Sequence, residues 1–492
     1  MQLKDASLFR SSAFIDGGWV DAKSNETLHV VDPSTGKSIG TVPDMDVDDV
    51  KDAVEAAHRG YDVWKTKTCQ ERHDILLKWY RLMIEHEEDL AAIMTLENGK
   101  AVDEIRYGRS FIQWFAEEAR RIYGDVIPSP LHNNRFLVVR QPVGVCSILT
   151  PWNFPSAMIT RKAGPALAVG CSVVIKPAAE TPFSALALCE LANRAGIPKG
   201  VINVVTTDKH VKEVGYEMCT NPIVRKVSFT GSTAVGKLIM KQCASGMKKV
   251  SLELGGNAPF IVFDDADVDT AVQGLLGAKL KGSGQVCIAP NRIYVQEGIH
   301  DAFTAQLAER MKKLRIGSGF DEKVTTGPLI SERAREKVNK HVEDAVARGA
   351  RVLLDGRKEL EKSEQKESGG YFFHPTLLTD LHDEALISSE ETFGPLLAVR
   401  KFTSEQEVVE LANRTEYGLA AYVYTRDVSR VFHVSEALES GMVGVNSITL
   451  GIDATPFGGV KESGMGREGS KYGVEDYVNK KLISIGLQPK QV

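Results

Sequence analysis

Two side chains invite a chemical reading of this sequence: Glu253, in SLELGGN, and Cys287, in KGSGQVCIAPN. A thiol acts as a nucleophile in its thiolate form, and a carboxylate among apolar residues tends to a raised pKa that suits a general base. Together they could form a thioester and then hydrolyse it. Taken singly, each has a plainer use, Glu253 as the end of a strand in a surface pair and Cys287 as a small buried hydrophobe. The pair becomes chemical only if the chain also supplies a donor for an oxyanion and a place for a redox cofactor.

Candidates for both parts are present. Asn153 lies in TPWNFP, where Pro151, Trp152 and Pro155 stiffen the loop. A rigid amide donor is what an oxyanion needs, and losing one typically costs roughly 10² to 10³ in rate. Lys176 directly follows the apolar run Val173 to Ile175, which places it at the carboxyl end of a strand, where open α/β sheets bind ligands. GSTAVGK at 231–237 nearly matches a phosphate loop, but Leu238 stands where the magnesium-binding hydroxyl belongs, which argues against an ATPase or GTPase. What remains is a glycine turn opening a helix, where backbone N–H groups and Ser232 can meet a pyrophosphate. GxGxxG is absent, so the ordinary dinucleotide fingerprint is missing.

These residues need elements to position them. From Val143 the pattern repeats as strand, loop, helix, the signature of a parallel sheet with crossover helices: strands at VGVCSIL, SVVIKPA, VINVV and RKVSFT, with helices at 156–169 and 182–195. The second helix should stop at Gly196, ahead of Pro198. A second α/β unit follows Gly256, with APFIVFDDAD as strand and turn, a helix from Val268, the Cys287 loop, RIYVQ and a helix to Lys313. Ahead of both units, short strands (13–16 and near the Asp32 turn) and amphipathic helices over 47–66, 71–98 and 101–123 read as scaffold. The charged stretch 356–370 reads as an exposed loop, and 482–487 as an edge strand.

Composition narrows the class. The chain has 492 residues, enough for two or three domains, with net charge -5, 25% charged and 43% hydrophobic residues and no basic stripe for nucleic acid. Seven scattered cysteines without CxxC spacing argue against a disulfide framework and a zinc site and for a reducing compartment; no metal is expected. Neither a signal peptide nor an apolar run of about 18 residues is visible, so a cytoplasmic protein without a membrane partner is expected.

TPWNFP, VIKPA, FTGST, LELGGN, GQVC and EETFGP occur in this order, and through them the whole chain resembles the NAD(P)-dependent aldehyde dehydrogenase superfamily. LFRSSAFIDGGWVDA, WNFPSAMITRKAGPALAVG, PFGG and GREGSKYG make it look like the succinate-semialdehyde dehydrogenases in particular. The resemblance implies an α/β fold of the aldehyde dehydrogenase type. It would have a Rossmann-type cofactor domain (1–122 and 143–254), an α/β catalytic domain (255–455) and a small β oligomerisation arm (123–142 and 476–488). In the arm, Phe136, Val138 and Arg140 alternate against Leu137 and Val139 as in an edge strand that seeks a partner, and a homodimer or homotetramer is expected.

The same resemblance implies roles. Cys287 would attack an aldehyde, Asn153 and the Cys287 backbone N–H would hold the oxyanion, and Glu253 would activate water, with Lys162 and Glu468 as proton-relay partners. Trp152, Asn153, Lys176, Pro177, Ala178, Ala179, Gly231, Ser232 and Leu254 match contacts to the adenosine and pyrophosphate half of the cofactor, and Glu391 and Phe393 those to the nicotinamide ribose. Ala179 stands where NAD-preferring members carry an acidic residue, which puts NADP ahead of NAD. For the substrate, Arg161, Lys281, Phe154 and Phe457 are the matching positions. The resemblance puts succinic semialdehyde first, but Lys281 replaces an arginine and the serine before PFGG is missing, which leaves glutaric semialdehyde, a sulfonated short aldehyde or an aromatic aldehyde as alternatives and a CoA-acylating relative as the rival.

Overall fold

Strand and helix do alternate from Val145, and the strands collect into two large sheets. The computed structural model describes residues 3–100 and 104–488. The eight-stranded sheet runs in the order Gly464–Met465, Lys249–Glu253, Val224–Thr230, Val145–Leu149, Ser172–Lys176, Ile202–Val204, Ala13–Ile15, Gly18–Val20. The middle strands, from Lys249–Glu253 to Ile202–Val204, are parallel, and the flanking ones antiparallel. Chain order reverses at Val145–Leu149, which lies between Ser172–Lys176 and Val224–Thr230; TPWNFP therefore leaves the sheet at the switch point, where a crevice opens outside the strand ends.

The seven-stranded sheet has the order Arg351–Leu354, Thr376–Thr379, Leu396–Phe402, Arg292–Gln296, Pro259–Val262, Ala420–Tyr424, Met442–Val445. Only its first pair is antiparallel. Strands buried on both faces read as apolar runs, and Val145–Leu149, Ser172–Lys176 and Pro259–Val262 are buried at every residue.

The N-terminal helices pack across the first sheet's crossover helices. Trp64 Nε1 donates to Leu167 O (2.9 Å) and Trp79 Nε1 to Leu188 O (3.1 Å), so each buried indole satisfies its one donor on a neighbouring helix. Truncating either ring to alanine would cost about 3–5 kcal/mol.

Four expectations need correction. The stretch 71–98 is two helices, Cys69–Glu85 and Glu87–Asn98, broken at His86, because continuous apolar periodicity hides a change of helix axis. The third scaffold helix is Glu104–Glu118; 101–103 lie outside the described residues. The stretch 356–370 is no plain exposed loop: Asp355 caps a short helix, Gly356–Glu361, and a Cβ on Gly370 would lie 2.2 Å from Ser34 O, so the segment is packed at both ends. Finally, Asn134–Pro142 is no edge strand but the middle strand of a three-stranded sheet, between Val478–Gly486 and Asp125–Ile127, while the tail is an outer strand as expected. Leu482, Ile485 and Val126 on this sheet are exposed.

Candidate active site

The LELGGN turn brings Glu253 and Cys287 together. Gly256 packs on the nucleophile loop so closely that a Cβ would lie 2.3 Å from Cys287 O, which only glycine permits. The Cys287 loop itself turns through Gly282, Ser283 and Gly284, all at positive φ. Glu253 closes its strand at 2% exposure, with neither carboxylate oxygen hydrogen-bonded among the described residues. Burial raises its pKa, opposed by Arg161, whose guanidinium is 3.6 Å away. Burial and the neighbouring Glu253 charge hold the Cys287 thiol well above its ordinary value, so the resting group is the thiol and not the thiolate.

Behind this pair stands a buried charge cluster on the helix Ala157–Val169. Glu468 pairs with Lys162 Nζ and with Arg161 Nε (2.5 Å), and Lys162 also donates to Thr230 Oγ1 at 2.6 Å. Although burial works against its charge, Glu468 is held below the ordinary carboxylate range by the two cations. Arg161 is pushed up, Glu468, Tyr107 and Glu253 outweighing the burial cost, while burial lowers Lys162. Arg161 thus stays charged.

A cavity of about 250 Å³ opens in front of Cys287. The four positions named for the substrate, Arg161, Lys281, Phe154 and Phe457, all line it, together with Tyr107, Met158 and Thr449, which the sequence did not single out. Arg161 lies 4.4 Å from the Phe457 ring centroid and donates to Tyr107 Oη at 3.4 Å; Lys281 Nζ is 5.9 Å from that of Phe154. Tyr107 sits on a helix whose apolar stripe reads as scaffold, and no sequence signal separates it from its core neighbours. Asn153 is buried nearby: its Nδ2 donates to Gln285 O at 3.2 Å, tying it to the nucleophile loop with its second N–H to spare.

Most of the residues expected to hold a cofactor follow strand ends of the eight-stranded sheet. Lys176 is buried, its Nζ on Pro177 O at 2.8 Å; burial lowers its pKa, with Glu180 opposing. Ala178 and Ala179 follow half-buried. Ser232 is exposed and caps the helix Thr233–Cys243, and Gly231 N–H is held by Glu253 O at 3.1 Å. Gly236 packs on Leu254, whose Cδ2 would lie 2.3 Å from an added Cβ. Glu391 accepts from Gly256 N–H at 3.1 Å and burial raises its pKa to about 7; Trp152 and Phe393 meet edge to face at 5.5 Å. A helix N-terminus, a buried lysine and an inward carboxylate fit a dinucleotide: its pyrophosphate on the first, its ribose hydroxyls on the others.

The sequence profile of the aldehyde dehydrogenase family matches residues 19–483. The chain belongs to that family. It is 54% identical to the succinate-semialdehyde dehydrogenase [NADP(+)] of Escherichia coli, over 99% of this chain and 100% of the relative. It is equally 54% identical to a glutarate-semialdehyde dehydrogenase of Pseudomonas aeruginosa, over 99% and 100%. Among solved structures, an NADP-dependent enzyme of E. coli superposes with a TM-score of 0.95 at 54% identity, covering 99% of this chain and 100% of that one. In this aldehyde dehydrogenase family member the thiol of Cys287 lines the cavity, with the Glu253 carboxylate and the loop of the Asn153 amide packed beside its own loop. Among the described residues no cluster of His, Cys, Asp or Glu is arranged to hold a metal, and no helix is long and apolar enough to cross a membrane.

Proposed function

We propose that the protein oxidises a short anionic aldehyde, with succinic semialdehyde the leading candidate, to its carboxylate and prefers NADP to NAD. The observation that carries this reading is the cavity that Cys287 shares with two cationic side chains, Arg161 and Lys281, with Glu253 beside the thiol. Cys287 Sγ, its proton lost to solvent, attacks the carbonyl carbon. The oxygen becomes an oxyanion held by the free N–H of Asn153 and the backbone N–H of Cys287. A nicotinamide held by Glu391 and Phe393 would supply the hydride acceptor. Glu253 then deprotonates a water that splits the thioester, that proton passing toward Glu468 and Lys162, and the carboxylate and the Cys287 sulfur are released.

Trp152, Lys176, Pro177, Ala178, Ala179, Gly231, Ser232 and Leu254 would hold the adenosine and pyrophosphate half of the cofactor, and Glu391 and Phe393 its nicotinamide ribose. The uncharged Ala179 beside Lys176 leaves a 2′-phosphate unrepelled. In this reading residues 1–122 and 143–254 serve the cofactor, 255–455 carry the thiol, and 123–142 with 476–488 assemble a dimer or tetramer. Seven free thiols support a reducing, cytoplasmic setting. Glutaric semialdehyde is the second reading, favoured by the equal identity to the P. aeruginosa relative.

The test follows reduced-nicotinamide absorbance for succinic, glutaric, sulfonated, aliphatic and aromatic aldehydes with each cofactor. The anionic aldehydes should give the highest kcat/KM. Cys287→Ala should abolish oxidation and leave cofactor binding intact. No signal from any pair would refute the proposal, and a rate that required CoA would transfer the protein to the acylating class.

A further inference from the structure

A loop that holds an oxyanion donor must itself be held, and four consecutive residues outside both large sheets do this. Glu97, Asn98, Gly99 and Lys100 end the helix Glu87–Asn98 and run beside the TPWNFP loop. Glu97 faces away from that loop: its carboxylate accepts from Phe183 N–H (2.7 Å) and Ser184 N–H (2.9 Å), at the first turn of the helix Pro182–Ala195. That contact roots the segment in the core. Asn98 points the other way, its Nδ2 donating to Trp152 O at 2.7 Å. Lys100 Nζ donates to the next carbonyl, that of Asn153, and sits 3.6 Å from the centroid of the Phe154 ring.

The same segment reaches the nucleophile loop. Gly282 stands at φ +55, and a Cβ there would lie 2.7 Å from Lys100 Cε, so the lysine stem fills the space that this glycine leaves. Gly99, at φ +78, lies against Pro328, whose carbonyl accepts from Gln285 Nε2 at 3.4 Å. Gln285 in turn accepts the Asn153 amide on its main-chain oxygen. A closed circuit therefore links residues 97–100, the Asn153 loop and the Cys287 loop. A charged donor on a buried carbonyl is among the stronger hydrogen bonds available for such a task.

We propose that Asn98 and Lys100 are positioning residues for aldehyde oxidation: by fixing the consecutive carbonyls of Trp152 and Asn153, they hold the Asn153 amide in register with Cys287 Sγ. This rests on the proposed roles of Asn153 and Cys287. Neither residue touches the aldehyde; each acts through the loop.

The experiment compares wild type with Lys100→Met, Lys100→Arg and Asn98→Leu by two reactions at Cys287. Acylation by p-nitrophenyl acetate passes through an oxyanion and needs no cofactor; alkylation by iodoacetamide displaces iodide with no oxyanion, and mass spectrometry of the Cys287 peptide follows it. Lys100→Met and Asn98→Leu should each slow both the nitrophenolate burst and kcat for aldehyde oxidation by about 10- to 100-fold, short of the roughly 10² to 10³ of losing a donor outright. Alkylation and NADP affinity should be unchanged, and Lys100→Arg, which keeps a charged donor, should retain most of the burst. An unchanged burst, or alkylation that falls in step with it, overturns the proposal; if one variant fails to fold, the other decides. A wild type with neither oxidation nor burst would remove the reading of the site, whereas an active wild type with unaffected variants removes this proposal alone.

Discussion

Replacing Glu253 by glutamine separates the two halves of the reaction. The carboxylate is 2% exposed, and Arg161 at 3.6 Å is the foremost of the few groups that stabilise its anion against burial. An unsolvated carboxylate is a stronger base than one in water, which places its loss toward the upper part of the 10²- to 10⁴-fold usual for general bases. That range corresponds to about 2.7–5.4 kcal/mol of barrier. Hydride leaves before water attacks, so rapid mixing of Glu253→Gln with NADP and succinic semialdehyde should show a burst of up to one reduced nicotinamide per subunit, then a steady rate lowered by that factor. Wild type should lose activity as pH falls, with its midpoint above the ordinary carboxylate value of 4.5 because burial raises the group. Stability runs the opposite way. A folded pKa raised above the unfolded value means that ionisation opposes folding: the opposition is absent below the unfolded pKa and grows as pH rises through the folded one, so Glu253→Gln should raise Tm at alkaline pH and not at acid pH. A burst missing while Cys287 still alkylates, or a steady rate equal to wild type, would refute the assignment of water activation to Glu253.

Three more outcomes follow from the geometry. Ala179→Glu places a carboxylate near Lys176; like charges at close range cost about 1–4 kcal/mol, so KM for NADP should rise about tenfold or more while NAD is spared, and an unchanged ratio would take the 2′-phosphate away from this corner. Lys281→Met removes one of the cavity's cations and should lower kcat/KM for succinic semialdehyde about tenfold, roughly 1.4 kcal/mol, without slowing an uncharged aldehyde; equal losses for both would mean that Lys281 only shapes the loop. Light scattering should give a dimer or tetramer that is lost when residues 478–488 are removed, since Leu482 and Ile485 on that strand are exposed; a monomeric wild type would end the case for an assembly arm.

The sequence by itself determined the α/β rhythm from Val145 onward, because strands buried on both faces must be apolar runs and crossover helices must fall between them. It also determined the order of the loops that carry Asn153, Lys176, Ser232, Glu253 and Cys287, since Gly and Pro punctuate the strand ends. Continuous periodicity concealed the break at His86, and charge concealed the short helix Gly356–Glu361. Asn134–Pro142 reads as an edge strand yet is paired on both sides, because strand alternation says which side faces inward and nothing about who pairs with whom.

Only the tertiary structure decided the state of the reacting groups. Glu253 and Cys287 look like an arbitrary acid and thiol until Gly256 lets the LELGGN turn close on the nucleophile loop; burial and their mutual field, neither of which exists in the unfolded chain, then make one a raised base and the other a resting thiol. Tyr107, Asn98 and Lys100 reach the site from helices that read as scaffold. Long-range contacts such as these leave no periodic trace, because they depend on where a helix ends in space and not on the spacing of its residues.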